Sequence, residues 1–493
     1  MKVLLINPPY SRIRGSGMDA WFPLGLGYLA AVLIEDGFEV SIYSADNCQP
    51  GEPRPTSGMR DIFELRSQSR RTCIEALANK DHFVWREVKR TLEDVKPDLV
   101  GITALSVQYG AAVKIGQIVK EWRPDCPVVI GGHHVTYLPY ETMLGTPVFD
   151  LAVLGEGEVT FLEVCRLYRE GWRPDFENVL GVAYRKNGEV YITPPRQLLS
   201  DLNALPFPRR DINLYPETYS KQQLGGLIYG RGCPWNCRFC SSKKFWQRRV
   251  RMRSPENCVK EINTLINHYG LRRFMFWDDA FSVRRKEIIE FATRVIESGE
   301  RFTFTAATRA DLIDQELVRL LHRAGCTELK LGVESGSPRV LEMIQKNLDL
   351  KVLREAVKIV KDGGINLGLF FMAGLPHETL DDLNLTFDLI KELNADNVAF
   401  NIFDPMPGSE LYQEVIDLGL IPENADWTKF AFWPDASFTI DMAPDVFDKK
   451  AREMAEYIFK RNDSLRMRIK RFLPQFRHNP SSLFRKTIEL IRS

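Results

Sequence analysis

Two series of alternating strand-like and helix-like segments, separated by a proline-rich stretch near residue 200, constrain this chain more than any other feature. In the first series, short apolar or β-branched runs at 3–7, 39–43, 98–105, 128–130 and 151–154 each precede a Gly-rich or polar loop, while 24–35 and about 109–122 carry helical periodicity. Such alternation predicts a parallel sheet covered by helices, with ligands beyond the carboxyl ends of its strands. The second series has strand-like segments at 225–230, 273–277, 302–307, 328–333, 366–372 and 397–403, with helical patterns at 255–269, 284–298, 314–324, 338–361 and 379–393. Six such units are too few to close an eight-fold barrel and predict an open, partial (β/α)6 barrel with its site at the carboxyl ends of the strands. Between the series, Asn187-Gly188 marks a hairpin over 181–193, and 194–208, with four prolines, reads as an extended connector. The expected organisation is an α/β domain over 1–180 with an insertion at 47–84, a hairpin and linker over 181–218, a partial barrel over 219–410, and a mainly helical region over 411–493.

A length of 493 residues suits two to four domains. With 44% hydrophobic and 27% charged residues the chain has a globular composition, and a net charge of +1 argues against nonspecific nucleic-acid binding. No run of apolar residues is long enough to span a bilayer, and Asn7-Pro8-Pro9 interrupts the first apolar run too early for a signal peptide. A cytoplasmic location is expected, so the nine cysteines read as thiols or metal ligands rather than disulfides.

Three of those cysteines follow the first strand of the second series: Cys233, Cys237 and Cys240, spaced C-x3-C-x2-C in a loop rich in Pro, Gly and Arg. Three thiolates on one short loop can hold three irons of a 4Fe–4S cubane, whose usual full set is four cysteines, and the missing ligand leaves one iron open. A zinc site would need a fourth ligand, for which Cys258 and His268 are the nearest candidates.

In this spacing, with an aromatic residue (Phe239) before the last cysteine, the sequence resembles the radical S-adenosylmethionine (radical SAM) enzymes. The resemblance implies a 4Fe–4S cluster whose open iron is chelated by S-adenosylmethionine, which is cleaved reductively to a 5′-deoxyadenosyl radical. It also implies cofactor contacts at later strand ends. Asp278, in Trp277-Asp278-Asp279, is expected near the methionine amino group, and Arg309 near its carboxylate. Glu334 and Ser335, within 332–337, are expected at the ribose, and Gly374, in a segment similar to GLPGET but with His377 where Gly is commoner, at the adenine. The alternative for Asp279, Ser335, Ser337 and Thr379 is helix capping.

The first series resembles the flavodoxin-like (Rossmann-like) cobalamin-binding domain joined to a large subgroup of those enzymes. The residues concerned are Val3–Pro9, 23–30, 104–106, Gly131-Gly132-His133-His134 and 155–158. This implies cobalamin contacts from Pro9, Ser106, Val107, Gly131, Gly132, His133, Gly155, Glu156 and Gly157. The D-x-H-x-x-G motif that supplies a cobalt-ligating histidine is absent, so no histidine is expected below the cobalt. Flavin or dinucleotide readings lack G-x-G-x-x-G after the first strand.

The resemblance therefore implies methyl transfer to an unactivated carbon of a lipid-like or other small molecule, or an oxidative cyclisation or rearrangement of a porphyrin or lipid by the same architecture. An electron donor such as flavodoxin or ferredoxin is implied as partner. A sensor using cluster and cobalamin only as a switch is the reading from a different class. No hydrolase signature occurs, and no acid/base residue is identified. Residues 460–493 carry ten Lys/Arg and two acids, with Phe472, Phe476, Leu483, Phe484 and Ile488 interleaved. That pattern predicts a basic amphipathic helix, either at an anionic membrane surface or packed on the acidic remainder of the chain.

Overall fold

The computed structural model describes residues 1–15, 20–47, 62–171, 175–433, 437–465, 467 and 469. The basic segment beyond 469 lies outside the described residues. The chain divides into two units: Met1–Met59, Glu64–Leu224 and Pro405–Pro434 form one, and Arg60–Phe63, Gly225–Asp404 and Asp435–Ser493 the other.

The first unit is built on strands β1 (Lys2–Asn7), β2 (Glu39–Ser44), β3 (Leu99–Thr103), β4 (Val128–Gly131), β5 (Leu151–Val153), β6 (Val182–Lys186) and β7 (Glu189–Ile192). They form one sheet in the order β2-β1-β3-β4-β5-β6-β7, with β1 to β5 parallel and the β6–β7 hairpin added antiparallel. Val3, Leu4, Leu5 and Ile6 of β1 are all buried because helices cover both faces of a parallel sheet. The chain reverses its winding direction between β1 and β3, so the loops after these strands diverge and leave a crevice.

The second unit carries β8 (Gly226–Leu227), β9 (Gly230–Arg231), β10 (Arg251–Met252), β11 (Arg273–Phe276), β12 (Thr303–Thr308), β13 (Cys326–Glu334), β14 (Asn366–Ala373) and β15 (Asn397–Ile402). Six of these make a parallel sheet in the order β15-β14-β13-β12-β11-β8, while β9 and β10 pair separately. The segment read as one strand over 225–230 is thus broken in two. Alternation along β13 sorts the walls: Leu329, Leu331 and Val333 are fully buried, while Glu328, Lys330, Gly332 and Glu334 occupy the opposite, less buried face. Phe274, Phe276 and Phe304 join Phe281, Phe291 and Phe302 in an aromatic layer with ring centroids 4.7–6.3 Å apart.

Two expectations need correction. The helix expected over 338–361 is two helices, Pro338–Met343 and Leu350–Asp362, because Gln345 and Asn347 adopt left-handed φ of 53° and 49°. The region after 411 contains the helices Glu410–Asp417 and Pro444–Asn462, but 418–433 and 437–443 are mostly irregular and rich in aromatic residues. Part of it completes the first unit: Trp427 meets His134 edge-on at 5.5 Å, Phe432 receives the Arg14 guanidinium at 3.8 Å, and the Trp433 Nε1 donates to the Pro405 carbonyl at 3.0 Å. Among the described residues no helix is long and apolar enough to cross a membrane.

Gly110, in the helix Tyr109–Trp122, fixes this docking, since a Cβ there would lie 2.1 Å from the Thr428 carbonyl oxygen. Gly110→Ala is expected to lower stability by about 1–3 kcal/mol through overpacking. It should also speed protease cleavage within 418–433, read by thermal unfolding and limited proteolysis.

Candidate active site: a thiol loop and two strand-end clusters

The cysteine loop leaves β9 under the control of two carboxylates. Asp278 Oδ2 accepts the Tyr229 amide at 3.2 Å and its Oδ1 accepts the Gly230 amide, while Asp279 Oδ2 accepts the Gly232 amide at 3.2 Å. Because β11 ends at Phe276, the two adjacent side chains are not bound to opposite faces of a strand, and both turn to the same loop. Gly232 adopts φ +97°, and a Cβ there would lie 2.0 Å from the Arg249 carbonyl oxygen, so the entry to the loop needs glycine. Burial pushes the Asp278 carboxyl up to about 7, against the pull of its two amide donors. Asp278 was expected at the methionine ammonium; in this structure its oxygens are occupied by backbone amides and it acts as a brace. Asp279 likewise braces the loop and caps no helix.

The loop it braces holds Cys233, Cys237 and Cys240, all half-buried and all unoxidised. Burial raises each thiol, Cys240 to about 11, and the neighbouring thiols and Asp279 add to that rise at Cys240. Adjacent, desolvated sulfurs of this kind ionise readily only next to added positive charge, which iron supplies. Among the described residues no group of three or more His, Cys, Asp or Glu, these cysteines included, is already drawn together around a metal position. Cys258, the nearest candidate for a fourth zinc ligand, is fully buried in the helix Pro255–Tyr269. The donor set fits a cubane with one open iron.

Opposite the thiols stand cations. Arg309 lies 4.4 Å from the Trp235 ring and donates to Asp311 Oδ1 and Oδ2, the Lys346 carbonyl and the Asn347 carbonyl. Expected as a clamp for a carboxylate, its guanidinium is here committed to the 345–347 turn, whose left-handed residues turn those carbonyls towards it. The same turn presents Lys346, which pairs with Glu334 at 2.9 Å and stands 6.0 Å from the Phe239 ring. Glu334 itself follows a register shift between β13 and β14 and has φ +72°. Lys346 was missed at the sequence level because the break at 344–349 was read as helix.

Ser335 and Gly374 belong to a second cluster. Ser335 Oγ, fully buried, bonds Thr386 Oγ1 at 3.0 Å and accepts the Ser337 amide at 3.1 Å. Ser337 caps Pro338–Met343, and Thr379 forms a capping box with Asp382 on Leu380–Leu393. The capping reading therefore describes Ser337 and Thr379, and Ser335 bonds the Ser337 amide beside them. The Gly374 amide donates to Glu378 Oε2 at 2.7 Å; burial raises the Glu378 carboxyl to about 8.

The face of β13 that carries Glu334 also bears Lys330 and Glu328, 3.6 Å apart. Gly368 lies beside Lys330 on β14, where a Cβ would come within 2.9 Å of the lysine Cγ. Trp277, directly after β11, is 49% exposed. The alternation Glu328-x-Lys330-x-Gly332-x-Glu334 was the available signal for this polar wall, and it went unread.

In the first unit, the residues expected at cobalamin gather at the carboxyl ends of the adjacent strands β3, β4 and β5. Val107, Gly131, Gly132 and Gly155 are half-buried there, beside exposed His133 and Leu105. Pro9 is buried after β1, and Gly157 opens the helix Gly157–Glu170. The Glu156 carboxylate accepts the Leu199 amide at 2.9 Å and ties the connector down. His134 is not on this surface: buried, it bonds Ser106 Oγ at 3.1 Å and stacks on Tyr109 at 4.2 Å, and burial depresses it to about 3. The half-exposed glycine loops fit the edge of a corrin.

The brace makes a measurable prediction. A carboxyl near 7 when folded and near 3.9 when unfolded binds more protons in the native state between those values, so its contribution to stability falls as pH rises from about 4 to 7. Asp278→Asn should flatten that slope in denaturation at pH 5 and 7. Because its amide NH2 opposes a backbone donor, it should also lower the iron retained after anaerobic reconstitution.

Comparison with known proteins places the chain. Residues 227–390 match the model of the Radical SAM superfamily and residues 72–165 that of the B12 binding domain. An uncharacterized methyltransferase of Pyrococcus horikoshii is 31% identical over 87% of this chain and 86% of its own length. An anaerobic magnesium-protoporphyrin IX monomethyl ester cyclase of Rubrivivax gelatinosus is 29% identical over 91% of this chain and 75% of its own. The radical S-adenosylmethionine methyltransferase TsrM of Kitasatospora setae shares the fold with a TM-score of 0.64 at 18% identity, covering 85% of this chain and 76% of that one. The chain belongs to the radical SAM enzymes that carry a cobalamin-binding domain, and its cofactors are a 4Fe–4S cluster, S-adenosylmethionine and cobalamin.

Proposed function

We propose that the protein transfers a methyl group to an unactivated carbon of a small molecule. The observation that carries this reading is the methyltransferase relative, similar over 86% of its own length and so through both units. Reductive cleavage of S-adenosylmethionine to a 5′-deoxyadenosyl radical is the chemistry the cluster supplies when bound, and a transferable methyl group is what cobalamin adds. The chain's own part is positioning. Asp278 and Asp279 set the thiol loop, Lys346 and Arg309 place positive charge beside it, and the Glu378 carboxylate fixes the amide of Gly374.

The cyclase relative favours a second reading, oxidative ring closure by the same architecture. The Lys330–Glu328 pair and the exposed Trp277 suit a substrate with a polar or planar part better than a bare hydrocarbon. A cytoplasmic location and a one-electron donor such as flavodoxin or ferredoxin belong to either reading. Membrane contact through the basic tail rests on residues outside the described ones.

Anaerobic reconstitution with cobalamin and methyl-deuterated S-adenosylmethionine, followed by mass spectrometry of lipid and tetrapyrrole extracts, separates the two readings. Methyl transfer adds the label to a product, whereas cyclisation yields an unlabelled product that has lost hydrogen. Replacing Cys233, Cys237 and Cys240 together by Ala should abolish the visible absorbance of the cluster and all deoxyadenosine formation. A cluster-based sensor would yield no deoxyadenosine even with the cysteines intact.

A further inference from the structure

Arg14, in the loop after β1, is 4% exposed and lies over two aromatic rings, with its Cζ 4.2 Å from the Tyr10 centroid and 3.8 Å from that of Phe432. Its Nε and Nη1 are buried without a hydrogen-bond acceptor, and no carboxylate of a described residue pairs with it. Arg12, two residues earlier, shows how this loop treats a buried guanidinium that has its counter-ion: it makes two bonds to Glu87 and one to the Ala45 carbonyl. The groups around Arg14 are instead the neutral Tyr10 phenol, to which it hydrogen-bonds, the Cys73 thiol, which burial pushes up to about 11 and so keeps neutral, and a second cation, Arg66, whose guanidinium lies 4.5 Å from the same Phe432 ring.

A cation stripped of water, without a carboxylate partner among the described residues and set beside a like charge, is unfavourable unless something compensates it. Aromatic faces offset only part of that cost. The loop backbone is meanwhile fixed independently of Arg14. Asp46 accepts the amides of Tyr10 at 2.7 Å, Ser11 at 2.6 Å and Arg12 at 3.2 Å, which fixes the backbone that leads to Arg14. The loop also follows β1, next to the point where the winding direction of the sheet reverses, which is where doubly wound domains receive the phosphate of a ligand.

We propose that Arg14, held against the rings of Tyr10 and Phe432, is the anchor of an anion site that takes a phosphate ester from the ligand of the first unit. Two sources have this chemistry: the phosphodiester of a corrinoid's nucleotide tail, or a separate phosphate-bearing small molecule. Only the first source rests on the cobalamin reading. The guanidinium–phosphate pair is charge-assisted and supplies what the fold withholds.

Thermal unfolding of the full chain in inorganic phosphate, against chloride at matched ionic strength, tests the site without reference to turnover. Phosphate should raise the wild-type Tm and leave Arg14→Met unmoved, and Arg14→Met in chloride should melt at or above the wild type because it removes an uncompensated charge. Arg14→Lys keeps the charge and should retain part of the shift, which covers a methionine variant that folds poorly. The source is read by absorbance titration with hydroxocobalamin and with cobinamide, which lacks the nucleotide tail. If the phosphodiester is the ligand, cobalamin should bind about tenfold or more tightly than cobinamide in the wild type. In Arg14→Met that ratio should collapse towards one. A phosphate-dependent Tm shift with an unchanged corrinoid ratio assigns the site to a separate phosphate. Failure of both corrinoids to bind would overturn the cobalamin reading and leave the phosphate arm to decide the anion site. The proposal is overturned if phosphate stabilises neither protein and the ratio is the same in both, or if Arg14→Met loses stability equally in phosphate and chloride.

Discussion

The second unit depends on how a short loop is kept in shape when its natural tendency is to relax. Three sulfurs must stay close together in a half-buried place before any iron arrives, and the loop has no regular structure of its own between Arg231 and the helix Ser242–Trp246. The solution is to bring two consecutive carboxylates from the end of β11 against the backbone amides of 229–232. An ionised carboxylate facing buried amides satisfies donors that would otherwise be lost to the interior. The cost is a raised Asp278 carboxyl, offset by the aromatic layer packed around β11 and β12.

Much of this architecture is written in period and punctuation. The strands of both sheets are β-branched or aromatic runs ended by Gly or polar residues, and the C-x3-C-x2-C spacing marks the loop that carries chemistry. What period cannot convey is the fate of a side chain once its strand has ended. Asp278 and Arg309 were expected at the cofactor from their strand-end positions alone, which say nothing of the backbone groups from elsewhere in the chain that each side chain bonds. The left-handed residues at 345 and 347 have no strong sequence marker, so the break that places Lys346 beside Glu334 was invisible.

The first unit gave a different difficulty. Its glycine loops were legible as close-approach points, and they do gather at one end of the sheet. The ring of His134 beside them is buried against Tyr109 and Trp427, where a neutral imidazole can donate or accept only within the protein. That role depends on a segment nearly three hundred residues away with no periodicity of its own, and nothing local to the His133-His134 pair announces it. Arg14 is hidden for the same reason, since one of its two aromatic neighbours is Phe432.

The return of Pro405–Pro434 to the first unit has a consequence for biosynthesis. As the chain emerges from the ribosome, the amino-terminal sheet can pair its strands early, but the rings that seal His134 and stack on Arg14 are made only after the entire barrel has been translated. The amino-terminal half therefore waits in an unfinished state while its neighbour is synthesised. Cutting the gene at the apparent linker near residue 210 would yield a fragment missing part of its own interior.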